Sequence, residues 1–252
     1  MPVRGRVRAP AVDLVKRSAV GATTRLSQRR VLARRALTVI APALVLGWLG
    51  LSQVEVVVRG WAAFDATRSW TVVSEIIRSA LYAAFVLGAA ITLLSSKSAR
   101  ARDGRRVAVV TSLTATFLMV GLSFMPAGPF LWRASANVEE FGLALTVTGA
   151  FIALVAFLNL GANFSIAPEA RDLVVTGPYR LLRHPIYFAE LVMIDGIVVG
   201  SARLTTLIGA IGVLGLQIYR IAVEEKLLRE NFPRTFAEFT TRTSYRLVPL
   251  VW

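Results

Sequence analysis

The chain has 252 residues, 55% of them hydrophobic and only 17% charged, with a mean hydropathy of +0.61. A soluble domain of this size has no means of burying that much apolar surface, so the composition predicts a single membrane domain. The absence of cysteine excludes disulfides, thiolate metal sites and a cysteine nucleophile, while a net charge of +14 raises the question of a polyanionic partner.

The placement of the charge decides against nucleic acid. Residues 1–35 hold ten basic side chains (Arg4, Arg6, Arg8, Lys16, Arg17, Arg25, Arg29, Arg30, Arg34 and Arg35) against the single acid Asp13, directly before the first apolar block. Such a leader is expected to be a flexible cytoplasmic segment that meets anionic lipid headgroups. The apolar block behind it starts too late and runs too long for a cleavable signal peptide, and reads as a retained span.

That first block covers about 36–58, with a kink expected at Pro42 and an early exit suggested by Gln53 and Glu55. A second runs over about 74–94, opening near Glu75 and Arg78, and a third over about 107–125, closed by Pro126, Gly128 and Pro129. The fourth, about 141–160, precedes a long polar stretch from Gly161 to Pro185. Two shorter apolar stretches, about 186–200 and 204–221, are separated only by Ser201, Ala202 and Arg203 and read as a helical hairpin. Glycines at 196, 200, 209, 212 and 215 are expected to let neighbouring helices approach closely.

The predicted fold is therefore all-α, a polytopic transmembrane bundle of five to six spans with a C-terminal hairpin and an interfacial tail. Its expected divisions are the leader 1–35, four transmembrane helices within 36–160, and a cofactor-binding catalytic region at 161–252. Lys97, Arg100, Arg102, Arg105 and Arg106 place the loop after the second span in the cytoplasm, and an even number of crossings returns the C-terminus there.

Candidate chemistry concentrates in two segments. Residues Leu173 to Glu190 put a Gly-Pro turn, two tyrosines, two arginines and the only histidine within eighteen positions. Gly177 and Pro178 form a turn that aims Tyr179 and Arg180. Pro185 suits the first position of a helix and holds His184 extended before it, so the helix N-terminus and Arg183 together favour a carboxylate. Taken singly, His184 also reads as a helix cap, and Tyr179 and Tyr187 as interfacial anchors. In the second segment, Arg220 to Asn231, the spacings Arg220 to Glu224 and Glu225 to Arg229 allow intrahelical ion pairs, the bland reading being a salt-bridged helix end. Phe232, Phe236 and Phe239 then share a face of a helix that would cap the site.

Together these segments resemble the isoprenylcysteine carboxyl methyltransferase and phospholipid methyltransferase superfamily: GPY at Gly177 to Tyr179, RHPxY at Arg183 to Tyr187, a helical hairpin, EExxL at Glu224 to Leu228, and an aromatic tail from Phe232 to Pro249. The resemblance spans about the last 80 residues. It implies an integral membrane methyltransferase that takes S-adenosyl-L-methionine at the cytoplasmic membrane face. Thr176, Gly177, Pro178, Tyr179, Arg183, His184, Pro185, Tyr187, Glu224 and Glu225 would contact the cofactor. Arg220 and Glu224 would act at the methyl acceptor, a lipid-like molecule entering from the bilayer: an isoprenoid or prenyl-cysteine carboxylate, or a phospholipid amine. No metal is expected. Relatives carry Gly after HPxY and Tyr in an FGxxYxxY tail, whereas this chain has Ala189, Phe236 and Phe239.

The stretch HPIYFAE, His184 to Glu190, also resembles NADPH-dependent membrane sterol or fatty-acyl reductases, but shows no basic pair reserved for a 2′-phosphate. A non-catalytic membrane protein of the same fold is the third reading. The excess of Arg over Lys, with abundant Ala and Val, points to a bacterial inner membrane.

Overall fold

The computed structural model describes residues 28–29, 31–67, 70–103, 105–122, 128–249 and 251, so most of the basic leader and Pro126 lie outside the described residues. Each of the six apolar blocks forms a helix: α1 (Ala41–Thr67), α2 (Trp70–Leu94), α3 (Arg106–Leu122), α4 (Ala136–Leu160), α5 (Pro185–Ser201) and α6 (Leu204–Asn231). A short amphipathic helix α7 (Pro233–Arg242) follows. The all-α expectation holds, the only paired strands among the described residues being two residues each.

Four stretches are long and apolar enough to cross a bilayer: Val31–Phe64, Val72–Leu94, Ala136–Asn163 and Leu204–Asn231. Helices α3 and α5 have 17 residues each, or about 26 Å at 1.5 Å per residue, and are short for a perpendicular crossing. Helix α6, with 28 residues and about 42 Å of length, exceeds a hydrocarbon core of about 30 Å, so one end extends past it. That surplus end carries Glu224 and Glu225.

Two local departures have clear causes. Helix α1 does not stop near Val58 but continues to Thr67, because nothing between Gln53 and Thr67 breaks a helix and Glu55 pairs with Arg59 one turn on at 2.5 Å. The distortion expected at Pro42 takes the form of a π-helical turn at Ala36–Ile40, which closes with the Ala41 N–H donating to the Ala36 carbonyl. Proline has no N–H for the ordinary ladder, so the chain widens just ahead of it.

Packing pairs α1 with α2, α4 with α5, and α3 with α6. The α5–α6 hairpin forms, turning through Ala202 at φ 53°. Its arms nonetheless lean on α4 and α3 more than on each other. Helices α4 and α5 cross so closely that a Cβ on Gly142 would sit 2.7 Å from the Gly196 carbonyl oxygen. Gly196 thus serves the close approach expected of it, but Gly215 has nothing within 4 Å and Gly212 meets Leu118 at an ordinary 3.5 Å.

A two-residue antiparallel ladder, β1 (Ala101–Arg102) against β2 (Glu169–Ala170), ties the loop after α2 to the polar stretch after α4. The same end of the bundle gathers the C-terminus of α4, the N-terminus of α5, the surplus end of α6, and α7.

Candidate functional site

The approach to α5 is built by the Gly-Pro turn. Gly177 sits at φ 58°, in the left-handed region that side chains disfavour, and a Cβ there would overlap the Asn159 side chain. The turn winds through Gly177–Arg180 as a 3₁₀ segment and delivers Tyr179 inward, buried, while Thr176, Gly177 and Arg180 stay on the surface. Burial pushes the Tyr179 phenol well above its usual range, the Glu224 carboxylate adding to the effect, so Tyr179 is a neutral hydroxyl.

Pro185 occupies the first position of α5 and His184 precedes it in non-helical geometry, φ −126° and ψ 61°. The backbone here is stapled to the tail: the Arg183 N–H donates to the Tyr245 carbonyl and the His184 N–H to that of Arg246, both at 3.0 Å. The Arg183 guanidinium reinforces the staple. Its Nε donates to the Thr243 carbonyl at 2.8 Å, Nη2 to those of Thr240 and Ser244 at 3.3 and 3.1 Å, and Nη1 to Glu225 at 3.2 Å.

The two adjacent glutamates have separate partners. Glu225 is buried and holds Arg183 and Arg246, each at 3.2 Å, with His184 Nε2 at 3.6 Å. Glu224 accepts a hydrogen bond from the Tyr187 hydroxyl and has His184 Nδ1 at 3.9 Å. The intrahelical pairs suggested by spacing give way to these tertiary ones. Arg220 instead lies over the Tyr187 ring, 4.6 Å from its centroid, and donates to the Ile166 carbonyl at 3.3 Å. Arg229 lies over Phe236 at 5.9 Å. The His184 ring stacks on Tyr187 with centroids 5.6 Å apart and planes 8° from parallel.

These groups border one open cavity. Tyr179, Arg183, His184, Pro185, Tyr187 and Glu224 line it; Thr176, Gly177, Pro178, Arg220 and Glu225 stand outside the lining. Phe236 and Phe239, both buried, cover it from α7, the capping position expected of the tail.

Sequence reasoning missed the wall formed by Phe164, Ser165, Glu169, Arg171 and Asp172. Arg171, 5% exposed, pairs with Glu169 at 2.8 Å and donates to the Phe164 carbonyl at 2.6 Å, while Arg102 reaches Glu169 at 3.1 Å. The only signal for these residues was their place in the longest polar interruption of the second half. Among the described residues, no three His, Asp or Glu side chains converge to hold a metal ion.

The lining has one chemical bias: the Glu224 carboxylate, bonded to the Tyr187 hydroxyl and in no ion pair with Arg or Lys among the described residues, lies among the rings of Tyr179, Tyr187, Phe164, Phe236 and Phe239 and suits an organic cation with an apolar body. Residues 138–235 match the phospholipid methyltransferase family. That family is part of the superfamily of isoprenylcysteine carboxyl and phospholipid methyltransferases that the motifs of this stretch resemble. The matched stretch contains the GPY, RHPxY and EExxL motifs and every residue of α5. No curated protein matches the chain.

Proposed function

We propose that the protein is an integral membrane methyltransferase that uses S-adenosyl-L-methionine to methylate a lipid-like acceptor. The observation that carries this reading is the convergence of Tyr179, His184, Tyr187 and Glu224 on one cavity within the family-matched stretch. When bound, the cofactor supplies a methyl group activated on a sulfonium. Glu224 and the surrounding rings would hold that cation. The cofactor's own carboxylate would meet the N-terminus of α5 and the charge of Arg183, which keeps one of its five N–H donors outside the four bonds to the tail and Glu225.

Methyl transfer is a displacement that needs little acid–base help, so the residues act mainly by positioning. Arg220 is the deepest charge beside Tyr187, only 3% exposed, and its Nε has no partner among the described residues. An acceptor carboxylate would pair with it and need no base. An amine acceptor would instead pass its proton to Glu224.

Orientation follows from the same end of the bundle. The basic loop after α2 grips the cavity wall, with Lys97 and Arg100 on Asp172 at 3.3 and 2.5 Å and Arg102 on Glu169. Basic loops favour the cytoplasm, so we place the cavity and both termini there, where a water-soluble cofactor enters.

Calorimetry with S-adenosylhomocysteine on detergent-purified protein tests the reading. Saturable binding that is lost in both His184→Ala and Glu224→Ala is expected. Binding of NADPH without binding of S-adenosylhomocysteine would overturn it.

A further inference from the structure

The opposite end of the bundle contains a second cavity. Its walls come from the N-terminal halves of α2 and α4, the C-terminal half of α5, the last turn of α3 and the α5–α6 turn. Along α5, the first cavity reaches Tyr187, whereas the second starts at Met193, six residues on, and extends to Ser201. At 1.5 Å per residue that spans about 9 to 21 Å from Tyr187, so the two are distinct sites.

The depth of this cavity is apolar, formed by Leu81, Phe85, Leu143 and Met193. The close α4–α5 crossing places Gly142, Gly196 and Gly200 in its lining, and these fill none of the space. The serine and threonine hydroxyls of the lining are satisfied internally: Thr146 donates to the Gly142 carbonyl at 2.9 Å, and Thr206 pairs with Ser201 at 2.7 Å.

Charge is the informative part. Arg78 lies inside the apolar span Val72–Leu94, lines the cavity, and makes no hydrogen bond or ion pair among the described residues. The other two charges are accounted for. Arg203 donates to the Gly128 carbonyl at 2.8 Å and lies 4.1 Å over the Phe130 ring. Glu139 sits in the first turn of α4, where the helix dipole favours a carboxylate. An unpartnered cation within a membrane span is unfavourable, and those that persist reach the interface or face an anion or a water-filled path; Arg78, exposed and near the end of its span, has its guanidinium at the mouth of this cavity.

We propose that this cavity binds an anionic amphiphile from the leaflet at that end of the bundle. Its phosphate or carboxylate headgroup pairs with Arg78 while its chain lies along Leu81, Phe85, Leu143 and Met193. The site is separate from the methyl-transfer cavity and does not depend on the function proposed for it.

Native mass spectrometry of the full chain in detergent tests this with four probes: dioleoyl phosphatidylglycerol, oleate, dioleoyl phosphatidylcholine and inorganic phosphate. One molecule of phosphatidylglycerol or of oleate is expected to stay bound per chain, and which of them is retained assigns the headgroup. Arg78→Gln should weaken that retention about tenfold, as loss of a charge-assisted pair does, and Arg78→Lys should restore it. Leu143→Trp, which fills the apolar depth without touching Arg78, should abolish it, with melting curves confirming that each variant is folded. The basic leader is present in every variant, so its own lipid binding cancels. Equal retention of phosphatidylcholine, retention of inorganic phosphate alone, retention of no probe, or no loss in folded Arg78→Gln and Leu143→Trp would each overturn the proposal.

Discussion

The Tyr187 hydroxyl donates a hydrogen bond to the Glu224 carboxylate, joining the third residue of α5 to the surplus end of α6 across 37 positions of sequence. The two motifs that flank the hairpin thereby become one site. The bond holds Glu224 against the stacked pair of His184 and Tyr187 instead of letting it swing to Arg220, its neighbour one turn away.

Tyr187→Phe removes only that hydroxyl. Methyl transfer is expected to fall about tenfold or more, the equivalent of one hydrogen bond to a charged group, with little change in melting temperature. A radiometric assay beside a thermal melt measures both. Unchanged turnover would show that Glu224 is positioned by other means.

Arg183 behaves as a clamp on the tail as much as a ligand. Arg183→Lys keeps the charge but cannot reproduce bonds to the carbonyls of Thr240, Thr243 and Ser244 together with Glu225, because an ammonium lacks the fork geometry. Limited proteolysis should cut the variant faster beyond Phe232 than the native chain. Equal cutting rates would mean that the backbone bonds of Arg183 and His184 suffice.

Gly177→Ala faces two separate penalties: a left-handed φ of 58° and overlap with Asn159. A loss of about 1–2 kcal/mol from the backbone alone is expected. Asn159→Ala in the same chain should relieve the overlap and recover only part of the stability, which denaturant or thermal unfolding in detergent would report.

Tyr179 gives an alkaline signature. Its folded pKa is raised above the unfolded value of about 10, so the stability it contributes is complete below that pH and declines as pH rises past it. Tyr179→Phe should flatten the fall in melting temperature above about pH 10. An unaltered alkaline slope would indicate that the phenol titrates freely in the folded protein.

Much of this architecture was legible because lipid imposes long apolar blocks, and all six blocks became helices. The Gly-Pro turn and Pro185 were also readable, since both act through local backbone geometry at Gly177 and His184. Spacing misled at Glu225 and Arg220. It shows which pairs a helix permits, but the chosen partners Arg183 and Arg246 lie 42 and 21 residues away in sequence. Glu169 and Arg171 went unread for the same reason: their burial depends on a two-residue ladder to Ala101 and Arg102, formed by a loop about 70 positions earlier. The glycines at 212 and 215 looked like the one at 196, and only the packing of α4 on α5 sets it apart from them.

The most direct test is transfer of tritiated methyl from S-adenosyl-L-methionine into organic-extractable material by purified protein reconstituted with total bacterial lipid. Label in the organic phase is expected with the native chain and should be lost in Glu224→Ala. Absence of label with the native chain, although it binds S-adenosylhomocysteine, or equal label with Glu224→Ala, would contradict methyl transfer at this cavity.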